Sequence, residues 1–191
     1  MIKTGIFGGS FNPIHNGHIS LARQMKEKAG LDEVWLMVSP QNPMKRQTDL
    51  LSDEARLQMA RLALKHEPGI IASDYEMHLP KPSYTWLTLQ SLSRDYPDRQ
   101  FVLMIGGDNW AIFHRWFHAD DILQNYQVVV YPRRDERPVE KTLPAGVMIV
   151  EAELLDVSST EIRQRIREGR SIQKLVPPSV AAFIKQEGYY V

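Results

Sequence analysis

The first eighteen residues constrain the fold more than any other stretch. Ile2 to Phe7 is an apolar run of strand length, and Gly8-Gly9 interrupts it. Ser10-Phe11-Asn12-Pro13-Ile14-His15-Asn16-Gly17-His18 then leads into a segment whose Leu21, Ala22, Met25 and Ala29 fall at i, i+1, i+4 and i+8. The first pattern is that of a buried strand, the second that of a helix laid on a sheet. Strand, glycine turn and helix start in this order make an anion site, because the helix's unpaired N–H groups and the positive end of its dipole both face the loop. Two histidines three residues apart stand at that helix start, where imidazole N–H groups can donate to a phosphate. The turn is neither a dinucleotide fingerprint nor a Walker loop, since no G-x-G-x-x-G and no Gly-Lys-Ser/Thr occurs. A metal reading of His15 and His18 has too few ligands, and the chain has no cysteine to complete a zinc set.

The rest of the chain alternates in the same way. Val34–Val38, Ile70–Ala72, Phe101–Ile105, Gln127–Tyr131 and Val147–Val150 read as strands. Helices are expected over 53–65 with Ser52 as N-cap, from Ser83 as N-cap through Tyr96, over 119–125, over 159–168 and over roughly 178–186. The segment 74–82 is expected to be irregular, since it carries Pro80 and Pro82. Strands alternating with helices predict an α/β fold: a single doubly wound, Rossmann-like parallel sheet with right-handed crossovers, closed by C-terminal helices. In such sheets ligands sit beyond the carboxyl ends of the strands, where the order reverses. The turn Gly8 to His18 and the turn Gly106-Gly107-Asp108 are therefore expected around one crevice.

A second cluster, Asp156-Val157-Ser158-Ser159-Thr160-Glu161-Ile162-Arg163, places three hydroxyl residues at a helix start with an arginine close behind. This too suits a phosphate, and Thr160, Arg163, Arg167 and Arg170 follow helical spacing as a basic edge. By itself such a cluster reads first as an ordinary serine cap on a solvated helix.

Composition sets the outer bounds. At 191 residues the chain fits one α/β domain spanning 1–191 and is short for two. Lys+Arg and Asp+Glu are both 23, which argues against a general nucleic-acid-coating role while allowing a local basic pocket. Without cysteine there is neither disulfide nor thiol catalysis. The apolar runs are strand-length and no signal-peptide pattern opens the chain, so a soluble cytoplasmic protein without membrane contact is expected.

The two phosphate clusters together resemble the paired motifs of the nucleotidylyltransferase superfamily, which transfers nucleotidyl groups without a covalent enzyme intermediate. Class I aminoacyl-tRNA synthetases share a similar His-x-Gly-His turn, but this chain is short for one and has no Lys-Met-Ser-Lys-like loop. Further segments, Pro82-Ser83-Tyr84-Thr85, Gly106-Gly107-Asp108 with Trp116 eight residues on, and Tyr131-Pro132-Arg133-Arg134, resemble bacterial nicotinate mononucleotide adenylyltransferases. That resemblance runs from Gly5 to Gly188-Tyr189-Tyr190.

It implies a reaction of ATP with nicotinate mononucleotide giving deamido-NAD and pyrophosphate, with Mg2+ carried on the ATP phosphates. It implies that His18 and the backbone of Gly8, Gly9, Ser10 and Phe11 hold the α-phosphate, with His15 assisting. Ser158, Ser159, Thr160 and Arg163 would take the β- and γ-phosphates, Lys45 would reach the phosphates, and Asp108 would lie near the adenosine. Thr85, Trp116, Phe117 and Arg133 would contact the mononucleotide. Gln41-Asn42-Pro43-Met44-Lys45 departs from the Pro-His that more often precedes the lysine in this family. The partners implied are small molecules, and the pattern is compatible with a homo-oligomer. Nicotinamide mononucleotide and phosphopantetheine adenylyltransferases, or a non-catalytic nucleotide sensor on the same fold, stand as alternatives.

Overall fold

The computed structural model describes residues 1–40, 49–132 and 143–191. The apolar runs form strands β1 (Ile2–Gly9), β2 (Glu33–Val38), β3 (Ile70–Ser73), β4 (Arg99–Gly106), β5 (Gln127–Tyr131) and β6 (Val147–Ile149). All pairings are parallel, in the order β3-β2-β1-β4-β5-β6. The chain thus winds outward from β1 to one edge and restarts beside β1 to reach the other. This reversal is the switch point of a doubly wound sheet, as expected. β1 registers Gly9 against Val38 of β2 and Phe7 against Met104 of β4, so the first turn and the end of β4 emerge side by side.

Helices cover both faces. On one side α1 (Asn16–Lys28), α2 (Asp53–Leu64), α6 (Ser159–Arg167) and α7 (Pro178–Glu187) close over Phe7, Val34, Leu36, Val102 and Met104. On the other, α3 (Thr85–Asp95), α4 (Gly107–Ala111) and α5 (Ala119–Asn125) close over Ile6, Met37, Leu103 and Ile105. Alternate residues of one strand feeding opposite cores is the period of two that makes a parallel sheet apolar on both faces. Leu21, Ala22 and Met25 of α1 are buried and Ala29 lies partly buried against them, as their spacing predicted.

Several boundaries differ from expectation. Ser52 caps α2 by accepting from Ala55 N–H at 3.1 Å, as expected. Ser83 does not cap α3; Tyr84 occupies the N-cap in an extended conformation without a side-chain cap. The Tyr84 ring lies 4.7 Å from that of Phe117, a tertiary contact that propensity does not register. Residues 75–78 form a 3-10 turn inside the segment expected to be irregular. Among the described residues no helix is long and apolar enough to cross a membrane.

Candidate active site

The first turn is organised by its own side chains. His15 is the N-cap of α1, and its Nδ1 accepts from Gly17 N–H at 3.1 Å and from His18 N–H at 3.4 Å. His18 returns the arrangement, its Nδ1 accepting from His15 N–H at 3.2 Å. The two imidazoles thus make a capping box, the reciprocal cap usually built from Ser or Thr with Glu or Gln. A backbone N–H can only donate, so each Nδ1 is unprotonated and each ring carries its proton on Nε2. The rings stack at 3.6 Å and 20°, which turns their Nε2 edges away from the helix backbone. Burial lowers the His15 pKa to about 4. At neutral pH it is an uncharged Nε2–H donor.

Gly17 is required by this stack. A Cβ there would come within 2.9 Å of His15 Cε1 and Nδ1 and of Val157 Cγ1. Phe11 adopts a left-handed backbone (φ 48°) and is almost fully buried, its ring edge-on to His18 at 4.9 Å and to Phe7 at 5.7 Å. A bulky residue in that region is strained and persists only where its surroundings over-determine it.

Those surroundings are hydrogen bonds to the carbonyls of the turn. Arg56 of α2, with no exposed surface, donates from Nη1 to Ser10 O at 2.7 Å and to Ser39 O at 2.8 Å, and from Nε to Leu51 O at 3.0 Å. Asp53 accepts from its Nη2 and supplies the counter-charge. Arg163 Nη1 donates to Asn12 O at 2.9 Å, and Ser159 Oγ to Pro13 O at 2.8 Å. Three carbonyls of the turn are therefore tied to α2 and α6.

Ser158 is the N-cap of α6, accepting from Glu161 N–H at 3.1 Å. Arg163 is the fifth residue of that helix, in its second turn rather than its first, and reaches back to Thr160 Oγ1 at 3.3 Å as well as to Asn12. The expected basic edge is partly neutralised: Arg167 pairs with Asp49 at 2.9 Å, and Arg170, beyond the end of the helix, pairs with Glu168 at 2.6 Å.

The two clusters face one cleft of about 580 Å³. Its walls include Gly8, Gly9, Ser10, Phe11, His15 and His18 from the first turn, and Ser158 and Ser159 from the start of α6. Asn109, next to Asp108 in the first turn of α4, completes the rim. A wider groove of about 1090 Å³ runs between α6 and α7, and none of these motif residues lines it. The rings of Trp110, Phe113 and Trp116 follow one another at 5.3 and 5.1 Å from α4 outward, and Phe117 meets Tyr84 next to Thr85. Thr85, Trp116 and Phe117 do not line the 580 Å³ cleft itself. Lys45 and Arg133 lie outside the described residues.

Sequence reasoning missed Arg56, Asn12, Tyr190 and Glu76. Glu76 accepts from Thr88 Oγ1 at 3.0 Å and is hydrogen-bonded to Ser39, whose Oγ lies 3.8 Å from the direction of a Cβ on Gly8. Burial raises its pKa, and the two hydroxyl groups oppose that shift. Arg56 and Glu76 stand in no motif, while Asn12 and Tyr190 stand in quoted segments that gave them no role of their own. For Arg56 alone a local signal existed, its place among the buried positions Ala55, Leu57, Met59 and Ala60 of α2.

Comparison with known proteins gives the same grouping. The cytidylyltransferase-like family model matches residues 6–165. A Bacteroides fragilis protein named "Probable nicotinate-nucleotide adenylyltransferase" is 46% identical over 97% of this chain and 92% of its own length. A Flavobacterium johnsoniae protein of the same name is 41% identical over 99% of both chains. The chain belongs to the nicotinate-nucleotide adenylyltransferase family. Solved structures agree on the fold. The Plasmodium falciparum nicotinic acid mononucleotide adenylyltransferase complexed with NaAD superposes with a TM-score of 0.83 at 19% identity, over 100% of this chain and 98% of that one. A putative nicotinate-nucleotide adenylyltransferase from Vibrio parahaemolyticus gives 0.72 at 24%, over 100% and 96%.

Proposed function

We propose that the protein transfers the adenylyl group of ATP to nicotinate mononucleotide, forming deamido-NAD and pyrophosphate in NAD biosynthesis. Family membership supports the reaction class. The observation that carries the site assignment is the shared cleft, with two neutral imidazole donors on one wall and a helix N-terminus capped by Ser158 on the other.

The 5′-phosphate of the mononucleotide is ionised at pH 7, so the nucleophile needs no general base. Catalysis then consists of aligning that oxygen with the α-phosphorus and stabilising the charge that develops on the α-phosphate and on the leaving pyrophosphate. His18 Nε2–H and the turn amides from Gly8 to Phe11 donate to the α-phosphate, and His15 supports the same group. Because the Nδ1 atoms are held by the helix backbone, the donors are oriented before substrate arrives. The start of α6 receives the pyrophosphate end through the Ser158 hydroxyl, the unpaired backbone N–H groups of Ser159 and Thr160, and the helix dipole. Arg163 adds charge there on exchanging its Asn12 carbonyl for a phosphate oxygen. Mg2+ carried on the ATP phosphates would add charge neutralisation there; among the described residues no three imidazoles or carboxylates lie together as a cation site. Thr85 and the Trp116–Phe117 segment take the nicotinate, Trp116 by stacking.

The test is pyrophosphate release from ATP with nicotinate mononucleotide, nicotinamide mononucleotide or phosphopantetheine as acceptor. Release that depends on a mononucleotide and favours the nicotinate form by about 10- to 1000-fold in kcat/KM is expected, because an amide would leave buried donors unpaired. Equal efficiency on acid and amide would remove the nicotinate assignment. Release that does not depend on any acceptor, or no release at all, would remove the transferase.

A further inference from the structure

We propose that Tyr190, next to the last residue of this chain, is a positioning residue for the phosphate turn, acting through Asn12. The inference rests on the adenylyl-transfer reading of the cleft. Tyr190 Oη donates to Asn12 Oδ1 at 2.7 Å in a buried contact between residues 178 positions apart. The same Oδ1 accepts from Leu51 N–H at 3.3 Å, and Asn12 Nδ2 donates to Asp49 O at 2.9 Å. The Asn12 carbonyl takes the Arg163 guanidinium. One small residue, itself 3% exposed, therefore joins the first turn to the chain before α2 and to the C-terminus through its side chain, and to the arginine of α6 through its backbone carbonyl.

The C-terminal backbone is shaped for this reach. Gly188 ends α7 in the left-handed region (φ 64°), and Tyr190 itself lies there (φ 67°). A non-glycine residue in that conformation is strained, and it persists only where other interactions outweigh the strain. At Tyr190 those interactions are the hydroxyl bond to Asn12 and the burial of the ring. Asn12 follows Phe11, whose left-handed backbone and ring contact set the position of His18. A loosened Asn12 frees the turn amides, the His18 ring and the carbonyl that holds Arg163. The amides and the His18 ring act on the reacting α-phosphate rather than on the nicotinate or adenine, so the loss falls mainly on kcat.

Tyr190→Phe keeps the ring and deletes the hydroxyl. In steady-state assays of the full-length protein it is expected to lower kcat about five- to tenfold, the range of one lost hydrogen bond, with both KM values within about twofold. Asn12→Ala is expected to lower kcat as well, and the double variant to be no slower than Asn12→Ala, because both act through one link. Hydrogen–deuterium exchange without substrate reads the turn independently of activity: peptides covering residues 8–15 exchange faster in Tyr190→Phe, while those from β4 and β5 do not change. A kcat within twofold of wild type, multiplicative losses in the double variant, or unchanged exchange over 8–15 would each overturn the proposal. A lower melting temperature with unaltered kcat would also do so, making Tyr190 a packing residue. An inactive wild-type protein would instead refute the transferase reading, and the exchange experiment would still judge the link between Tyr190 and the turn.

Discussion

Replacing His15 by Asn tests the capping box through pH. In the folded protein the imidazole is held neutral by burial, with a pKa of about 4 against an ordinary value of 6.5. Between those values the unfolded chain binds a proton that the folded one does not. His15 therefore costs no stability above about pH 6.5, and stability is lost as the pH falls toward 4. Linkage over this interval gives a loss of about 2 kcal/mol between pH 7.5 and pH 5, rising to about 3 kcal/mol below pH 4. Asparagine is a good N-cap and can accept from the Gly17 and His18 amides as His15 Nδ1 does. At pH 7.5 the variant should therefore stay within about 1 kcal/mol of wild type. Urea unfolding at the two pH values checks this, because the carboxylates, Glu76 included, contribute equally to both proteins and cancel in the difference. The expected result is a pH-dependent loss about 2 kcal/mol smaller in His15→Asn. Identical pH slopes would refute the buried neutral imidazole.

His18→Ala should lower turnover on the order of 100-fold or more, the scale of one lost transition-state donor, with circular dichroism unchanged; near-normal turnover in a folded variant would remove His18 from the chemistry. Arg163→Ala should raise the KM for ATP or lower kcat while sparing mononucleotide affinity, by about 1.5–3 kcal/mol for a charge-assisted contact, and equal weakening of both substrates would point to a disordered α6 instead. Trp116→Ala should weaken both mononucleotides and spare ATP, whereas Thr85→Val should mainly erode the preference for acid over amide, as competition kinetics with the two acceptors would reveal.

The features legible in the sequence were local ones. The period-two and period-3.6 patterns marked the strands and helices, Ser52 marked its helix start, and strand, Gly-Gly and His-x-Gly-His marked a turn at the switch point of a parallel sheet as the candidate anion site. These signals are readable because each rests on residues within a few positions of one another, where backbone geometry and side-chain spacing are fixed by the chain alone. The remainder came from contacts between distant segments. Folding spent the Ser159 hydroxyl on Pro13 O, 146 residues away, and the Tyr190 hydroxyl on Asn12. It drove Arg56, a charged residue outside every motif, into the core as donor to three carbonyls. It also moved the start of α3 past Ser83 to follow the Tyr84–Phe117 contact. A buried donor takes whichever acceptor the fold brings to it, since leaving it unpaired costs more than any local preference offers. The two histidines stood out in the sequence as candidates, and their tautomers rest on hydrogen bonds within three residues of one another. The burial that keeps His15 neutral came only with the tertiary structure, and so did the bracing of the turn by α2, α6 and the C-terminus.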